Sequence, residues 1–213
     1  DDITDNIRRE AIPLRMILES KRDGRMKGRL VAIGYKEPTY WDVKSNSSPV
    51  VSLSTVRALL FRAGLITDII SSVDVSVAFL QADPYPDDHP KRYVMYQPDR
   101  SIKAKYYLLR GAIYGQRSAS REWYDTLAGW LESKGYHKKD DEPCAFINDK
   151  GFTVLSYVDD LICRGSMEET EKFYELLADK FDCKDYNILS PDNRLAFLGF
   201  DITCEDVDIE DAM

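Results

Sequence analysis

At 213 residues, 44% hydrophobic and 31% charged with a formal net charge of -8, the sequence has the balance of a globular chain and excludes a disordered tail or a collagen-like fibre. That length accommodates one large domain or two small ones, either able to bury a core. No apolar run approaches the roughly 18 residues of a membrane span and the Asp1-Asp2 start is unlike a secretory leader, so the expectation is a soluble intracellular chain.

In chain order, Arg15 to Ser20 and Arg25 to Ile33 flank Lys21-Arg22-Asp23-Gly24 and predict a β-hairpin. A helix is expected over Leu53 to Ala63, capped by Ser52 or Ser54, then a β-branched strand over Ile66 to Val75. Asp83 to Pro90, with its prolines and aspartates, reads as an exposed loop. From Ser118 a helix carries Trp123, Leu127, Trp130 and Leu131 on one stripe and ends at Gly135. Trp123, Tyr124 and Trp130 read as helix core.

Cys144 to Ile147 and Phe152 to Val158 are strand-like, and Leu161 to Cys163 is a short apolar strand directly after Asp159 and Asp160. Ser166 and Glu169 make a capping-box pattern for a helix to about Phe181, with Thr170, Tyr174, Leu177 and Phe181 on one face. Leu195 to Thr203 is a last strand. The order predicts an α+β fold, an antiparallel sheet with helices packed on one side.

Cys144, Cys163, Cys183 and Cys204 include no Cys-x-x-Cys pair, and His89 and His137 stand far apart as surface residues, which disfavours structural zinc and a disulfide scaffold. Charge is uneven: Lys21, Arg22, Arg25, Lys27, Arg29 and Lys36 face only Asp23, whereas the stretch after Phe200 holds acids and no base. Taken alone, the basic run is a solvated hairpin.

The chemistry concentrates in Tyr157-Val158-Asp159-Asp160, paired carboxylates between apolar strand segments. Asp74 lies inside another apolar, β-rich stretch, where a buried carboxylate needs a base, a donor or a cation beside it. If that strand lies beside the Tyr157 to Cys163 hairpin, three carboxylates converge. Hard oxygen ligands of this kind suit magnesium, with manganese as the alternative. Two such ions about 3.5 to 4 Å apart can serve an in-line phosphoryl transfer.

With these residues assembled, the sequence resembles the reverse transcriptase of copia-type retrotransposons, the Pseudoviridae type. Lys27-Gly28-Arg29-Leu30-Val31-Ala32-Ile33-Gly34-Tyr35 resembles its K-A-R-L-V-A-K-G-F/Y block, and Ser48-Pro49-Val50-Val51 its S-P-V-V block. Asp74 to Leu80 resembles D-V-K-x-A-F-L. Ala112-Ile113-Tyr114-Gly115 with Arg121-Glu122-Trp123-Tyr124 resembles A-L-Y-G-L-K-Q-A-P-R-x-W-Y, and Phe197-Leu198-Gly199-Phe200-Asp201-Ile202 resembles F-L-G-I-x-I. With Tyr-Val-Asp-Asp these blocks follow the family's order over nearly the whole chain.

The resemblance implies right-hand polymerase fingers (about 1-65 and 85-115) and palm (about 66-84 and 116-213), as a fragment lacking thumb, connection and RNase H. It implies RNA-directed DNA polymerase activity: addition of dNTPs to a primer 3′-hydroxyl on an RNA or DNA template, in a cytoplasmic virus-like particle or the nucleus. Asp74, Asp159 and Asp160 would be catalytic, holding two Mg2+ ions with the Val75 carbonyl. Phe79 would exclude a 2′-hydroxyl and Lys27 and Arg29 would meet the triphosphate. Tyr114 and Gly115 would line the dNTP pocket, and Tyr157 and Val158 would touch the primer end.

Gln116-Arg117-Ser118-Ala119-Ser120 departs from L-K-Q-A-P, Ser76 replaces a common Lys, and Ile33 replaces another. These departures keep a second reading open, a catalytically silent remnant binding nucleic acid weakly. A third is another two-metal palm enzyme such as a nucleotide cyclase. Template preference, host element and oligomeric state leave no mark in the sequence.

Overall fold

A computed structural model describes residues 4–20, 24–38, 46–65 and 68–205. The chain divides into two compact units, Asp1–Ser48 with Phe79–Thr126, and Pro49–Ala78 with Leu127–Met213. These breaks differ from the divisions near 65, 84 and 115 drawn from sequence.

The first unit opens on helix α1 (Asp5–Glu10), capped by the Thr4 hydroxyl, which accepts from the Ile7 N–H at 3.4 Å. Strands β1 (Ile12–Ser20) and β2 (Met26–Ala32) form the expected antiparallel hairpin, with Leu18 opposite Gly28. Residues 21–23, part of the turn expected from sequence and of the basic run, lie outside the described residues. Two strands that the sequence reading missed, β4 (Tyr93–Tyr96) and β5 (Lys105–Leu108), complete a sheet of order β2-β1-β4-β5. β1 pairs with β4 in parallel, Ile12 opposite Val94, where only antiparallel pairing was expected. Ile12, Ala32 and Val94 are buried there with Leu14, Leu109 and Ile113 packed against them. Residues 83–90 form the expected loop.

The second unit carries an antiparallel sheet of order β10-β3-β9-β8-β7-β6. Its strands are β3 (Ile69–Asp74), β6 (His137–Lys138), β7 (Ala145–Ile147), β8 (Thr153–Tyr157), β9 (Asp160–Gly165) and β10 (Asn187–Ile188). Ile66, the expected start of β3, is outside the described residues. Helix α2 (Leu53–Leu65) is capped by Ser52, whose hydroxyl accepts from the Thr55 N–H at 3.1 Å. Helix α3 (Ala119–Ser133) contains the division between the units, and its Leu127, Trp130 and Leu131 are buried, as are Trp123 and Tyr124. Gly135, at φ 85°, follows its end. Trp130 packs edge-on against Phe181 at 5.3 Å between ring centres.

Helix α4 (Met167–Lys180) is capped by Ser166, which accepts from the Glu169 N–H at 3.3 Å. The capping box is only half formed. The buried Glu169 carboxylate instead accepts from Asn148 Nδ2 at 2.9 Å and Lys150 Nζ at 2.6 Å, because two charge-assisted partners outcompete one backbone N–H. The predicted last strand is a tight hairpin, β11 (Leu195–Phe197) and β12 (Phe200–Ile202). Leu198 and Gly199 turn it at φ 53° and 76°, the pattern of a type I′ turn.

Helices lie on both faces of the six-stranded sheet, not on one. Ala58 and Leu59 of α2 share a cavity of about 720 Å³ with Thr153, Leu155 and Arg164 on one face. Tyr174 of α4 reaches Ser71, which points to the other. Among the described residues, no helix is long and apolar enough to cross a membrane.

Candidate active site

Val73, Leu161 and Ile162 are each at most 3% exposed, so β3 and β9 are held in the second unit's core up to their ends, where the chemistry begins. β8 and β9 are joined by a two-residue turn, Val158-Asp159, with Tyr157 opposite Asp160. Val158 has φ 55°, and of the two turn residues it alone is in the left-handed region, as in a type II′ turn. That place normally belongs to glycine; a β-branched side chain there is strained, and strain of this kind is retained where function needs it. A second strained valine, Val77 at φ 44°, precedes the 3₁₀ turn Ala78–Gln81 that carries Phe79.

Asp160 is also paired with Asp74 at the end of β3. Directly opposite residues of an antiparallel pair share a face, so Tyr157, Asp160 and Asp74 form one row across β8, β9 and β3. The Val75 N–H donates to the Asp159 carbonyl at 2.8 Å, tying the turn to the strand that bears Asp74. Burial, then the charges of Asp159 and Asp74, push the Asp160 carboxyl up to about 6, against a downward pull from Lys184.

Asp74 already has a partner. Lys184 Nζ stands 2.9 Å from Asp74 Oδ1, and the Lys184 N–H donates to the Asp74 carbonyl at 3.0 Å. Sequence reasoning missed Lys184, one more charge in the run Asp182-Cys183-Lys184-Asp185 and 110 residues from Asp74. A cavity of about 380 Å³ opens here, lined by Ser72, Asp74, Asp160, Lys184, Arg194 and Phe197 among others. Among the described residues no three His, Cys, Asp or Glu side chains are arranged as a ready-made metal cage. The donor chemistry nonetheless fits a hard divalent cation: the Asp74 and Asp160 carboxylates border an accessible cavity, and Asp159 in the adjoining turn adds its charge to that of Asp74 on Asp160.

The other expected substrate residues belong to the first unit. The Phe79 and Tyr114 rings lie 5.0 Å apart, tilted, and Phe79 also packs on Ala82, Ala112 and Ala119. The Tyr114 carbonyl accepts from the Ala32 N–H at 2.7 Å. Gly115 has φ 82°, and a Cβ there would run into the Ala32 carbonyl and the Val31 side chain, so only glycine lets this loop approach β2. Arg29 is paired with Glu19 at 2.5 Å, and Glu19 stands opposite an exposed Lys27 in register.

Gln116, one of the departures, is 5% exposed and fully used: its Nε2 donates to the Tyr85 hydroxyl at 2.9 Å, while Oε1 accepts from the Ile113 N–H at 3.3 Å. Tyr85 in turn donates to Glu122 at 3.0 Å, and Arg92 stands 3.8 Å from Glu122. Arg117 donates its N–H to the buried Glu37 at 2.9 Å. His89 is not a plain surface residue; half-buried, it stacks on Tyr85 at 4.2 Å. His137 is exposed, and all four cysteines are free.

Residues 3–210 match the family model described as reverse transcriptase (RNA-dependent DNA polymerase). The chain is 28% identical over 183 residues to the retrovirus-related Pol polyprotein from transposon TNT 1-94 of Nicotiana tabacum, covering 79% of this chain and 13% of that protein. It is 28% identical over 208 residues to the truncated transposon Ty1-A Gag-Pol polyprotein of Saccharomyces cerevisiae, covering 92% of this chain and 17% of that one. The chain thus spans less than a fifth of the length of these relatives. In fold it is similar to apo telomerase from Candida tropicalis truncated from its C-terminal domain, with TM-score 0.52 and 13% identity, covering 91% of this chain and 53% of that one.

Proposed function

The chain belongs to the reverse transcriptase (RNA-dependent DNA polymerase) family, in the branch of copia-type and Ty1 retrotransposon Pol proteins, and on that premise we propose that it extends a primer 3′-hydroxyl with dNTPs on an RNA or DNA template. The observation that carries this reading is the row Tyr157, Asp160, Asp74 on one sheet face, with Asp159 tied to Val75 beside it. We assign fingers to the first unit and palm to the second.

Asp74, Asp159 and Asp160, with the Val75 carbonyl, would hold Mg2+ or Mn2+. Such ions, when bound, activate the 3′-hydroxyl and neutralise the leaving pyrophosphate. Tyr157 and the strained Val158 turn would seat the primer end. Phe79, backed by Tyr114, fills the space of a ribose 2′-hydroxyl, while Gly115 lets the Tyr114 loop close on β2. Lys27 and Arg29 would receive the triphosphate, Arg29 giving up Glu19 to do so. Affinity for template-primer comes from phosphate contacts along many nucleotides, and an overall charge of -8 with one basic hairpin favours weak, distributive extension. The setting we propose is a virus-like particle in the cytoplasm, or the nucleus.

The test is primer extension by residues 1–213 with Mg2+ or Mn2+ on RNA and DNA templates. Asp74→Asn and Asp159→Asn should each cost at least about a hundredfold in rate, since each removes charge that the transition state needs. Product formation insensitive to both substitutions, or none from the wild-type chain, would reject the reading and favour the silent remnant.

A further inference from the structure

Lys184 is held in place and yet free to leave. Its backbone is fixed alongside β3: the Lys184 N–H donates to the Asp74 carbonyl, the Ser76 N–H donates to the Asp182 carbonyl at 2.9 Å, and Val75 and Cys183 form a β-bridge between them. Its side chain is 66% exposed and ends 2.9 Å from Asp74 Oδ1. The other cation lining the same cavity, Arg194, is 2.9 Å from Asp201. Lys184 is thus the cation in that cavity engaged with the carboxylate row, and its charge also reaches Asp160.

We infer that Lys184 is a built-in counter-ion that occupies Asp74 in the metal-free protein and is displaced when a divalent cation binds. The inference rests on the proposed metal role of the carboxylates. Bringing Asp74, Asp159 and Asp160 together without a cation is costly through mutual repulsion. One ammonium group removes part of that repulsion and keeps Asp74 aimed at the cavity. A half-exposed ion pair is weak, so a doubly charged ion bridging two or three carboxylates displaces it at small cost. Displacement frees the ammonium into the cavity, where an incoming anionic group would meet it. Lys184 is therefore a positioning residue: it acts on the metal through Asp74.

The experiment is Mn2+ binding to residues 1–213 without nucleotide or primer, read by calorimetry and by the Mn2+-induced shift in melting temperature. The proteins are wild type, Lys184→Met, Lys184→Arg and Asp74→Asn. Lys184→Met removes the competitor, so Mn2+ should bind tighter, on the order of fivefold, and the metal-free protein should melt lower with a larger Mn2+-induced rise. Lys184→Arg should restore wild-type behaviour, whereas a purely structural role would give weaker binding or none. Unchanged or weaker Mn2+ affinity in a folded Lys184→Met overturns the inference while leaving the metal site standing, provided wild type binds and Asp74→Asn does not. Absence of Mn2+ binding by wild type overturns both. If Lys184→Met does not fold, Lys184→Gln takes its place under the same criteria.

Discussion

Asp74 and Asp160 face each other directly across β3 and β9, two carboxylates on one sheet face with Asp159 in the adjoining turn. The burial of Asp160, with the charges of Asp159 and Asp74 beside it, has a thermodynamic signature. The Asp160 carboxyl is raised to about 6, so the folded protein binds this proton where the unfolded chain has released it. A raised carboxyl contributes stability that is fully present below the unfolded value and is lost as pH rises through about 6. In metal-free buffer, Asp160→Asn should therefore raise the melting temperature relative to wild type at pH 7 to 8 and change it little at pH 4. Half-exposure limits the gain to about 1 kcal/mol. Thermal melts of both proteins across pH check this, and equal shifts at pH 4 and pH 8 would contradict it.

If Phe79 is the sugar gate as proposed, its contact with Tyr114 makes discrimination a two-residue property. Phe79→Val should then raise rNTP incorporation relative to dNTP by at least tenfold, because on that reading a filled volume excludes the 2′-hydroxyl. Tyr114→Ala should give a smaller shift in the same direction, by letting the Phe79 ring tilt away. Single-nucleotide extension with paired dNTP and rNTP measures both ratios. An unchanged ratio in Phe79→Val removes it from the pocket.

Gly115 has no tolerance for a side chain. Gly115→Ala places a methyl against the Ala32 carbonyl and Val31 at a positive φ, so two penalties add. The expected loss is about 2 to 4 kcal/mol, visible as a lower urea midpoint with little change in slope. Gly129→Ala, on an open stretch of α3, is the control and should be neutral or slightly stabilising.

Val158→Gly should separate stability from activity. Glycine relieves the turn's backbone strain at some entropic cost, leaving a net gain on the order of 0.5 kcal/mol. The same change loosens the turn that sets Asp159, so extension should slow by about tenfold. Melting temperature and single-turnover rate, measured on one preparation, would test the pairing; a variant both less stable and fully active contradicts it.

The local parts of this site were legible in sequence because they are written in neighbours. Asp159 and Asp160 interrupt apolar β-rich segments, and Asp74 does the same, so strand, turn and carboxylates emerge together. Contacts set by distant chain were silent. Nothing near Lys184 points to Asp74, and nothing near Gly115 points to Ala32. β4 and β5 escaped because each is only four residues long and they enclose Pro98, too short for an alternating pattern to declare itself. The β11–β12 hairpin was read as one strand because its turn is Leu198-Gly199, without the Asn or Asp that usually marks such a turn. Gln116 looked like decay of a motif. With Tyr85 and Ile113 as partners it is a satisfied buried amide, so the departure is compensated locally.

Each compact unit is assembled from two stretches of chain, with part of the other unit lying between them in sequence. A ribosome that has released the chain only as far as residue 78 has therefore delivered β1 without its parallel neighbour β4, and β3 without β9. Neither sheet can close until much later, because closure of long loops precedes the contacts that reward it. The carboxylate row therefore closes late relative to its first member: Asp74 emerges and waits for Asp160, and Lys184 follows later still.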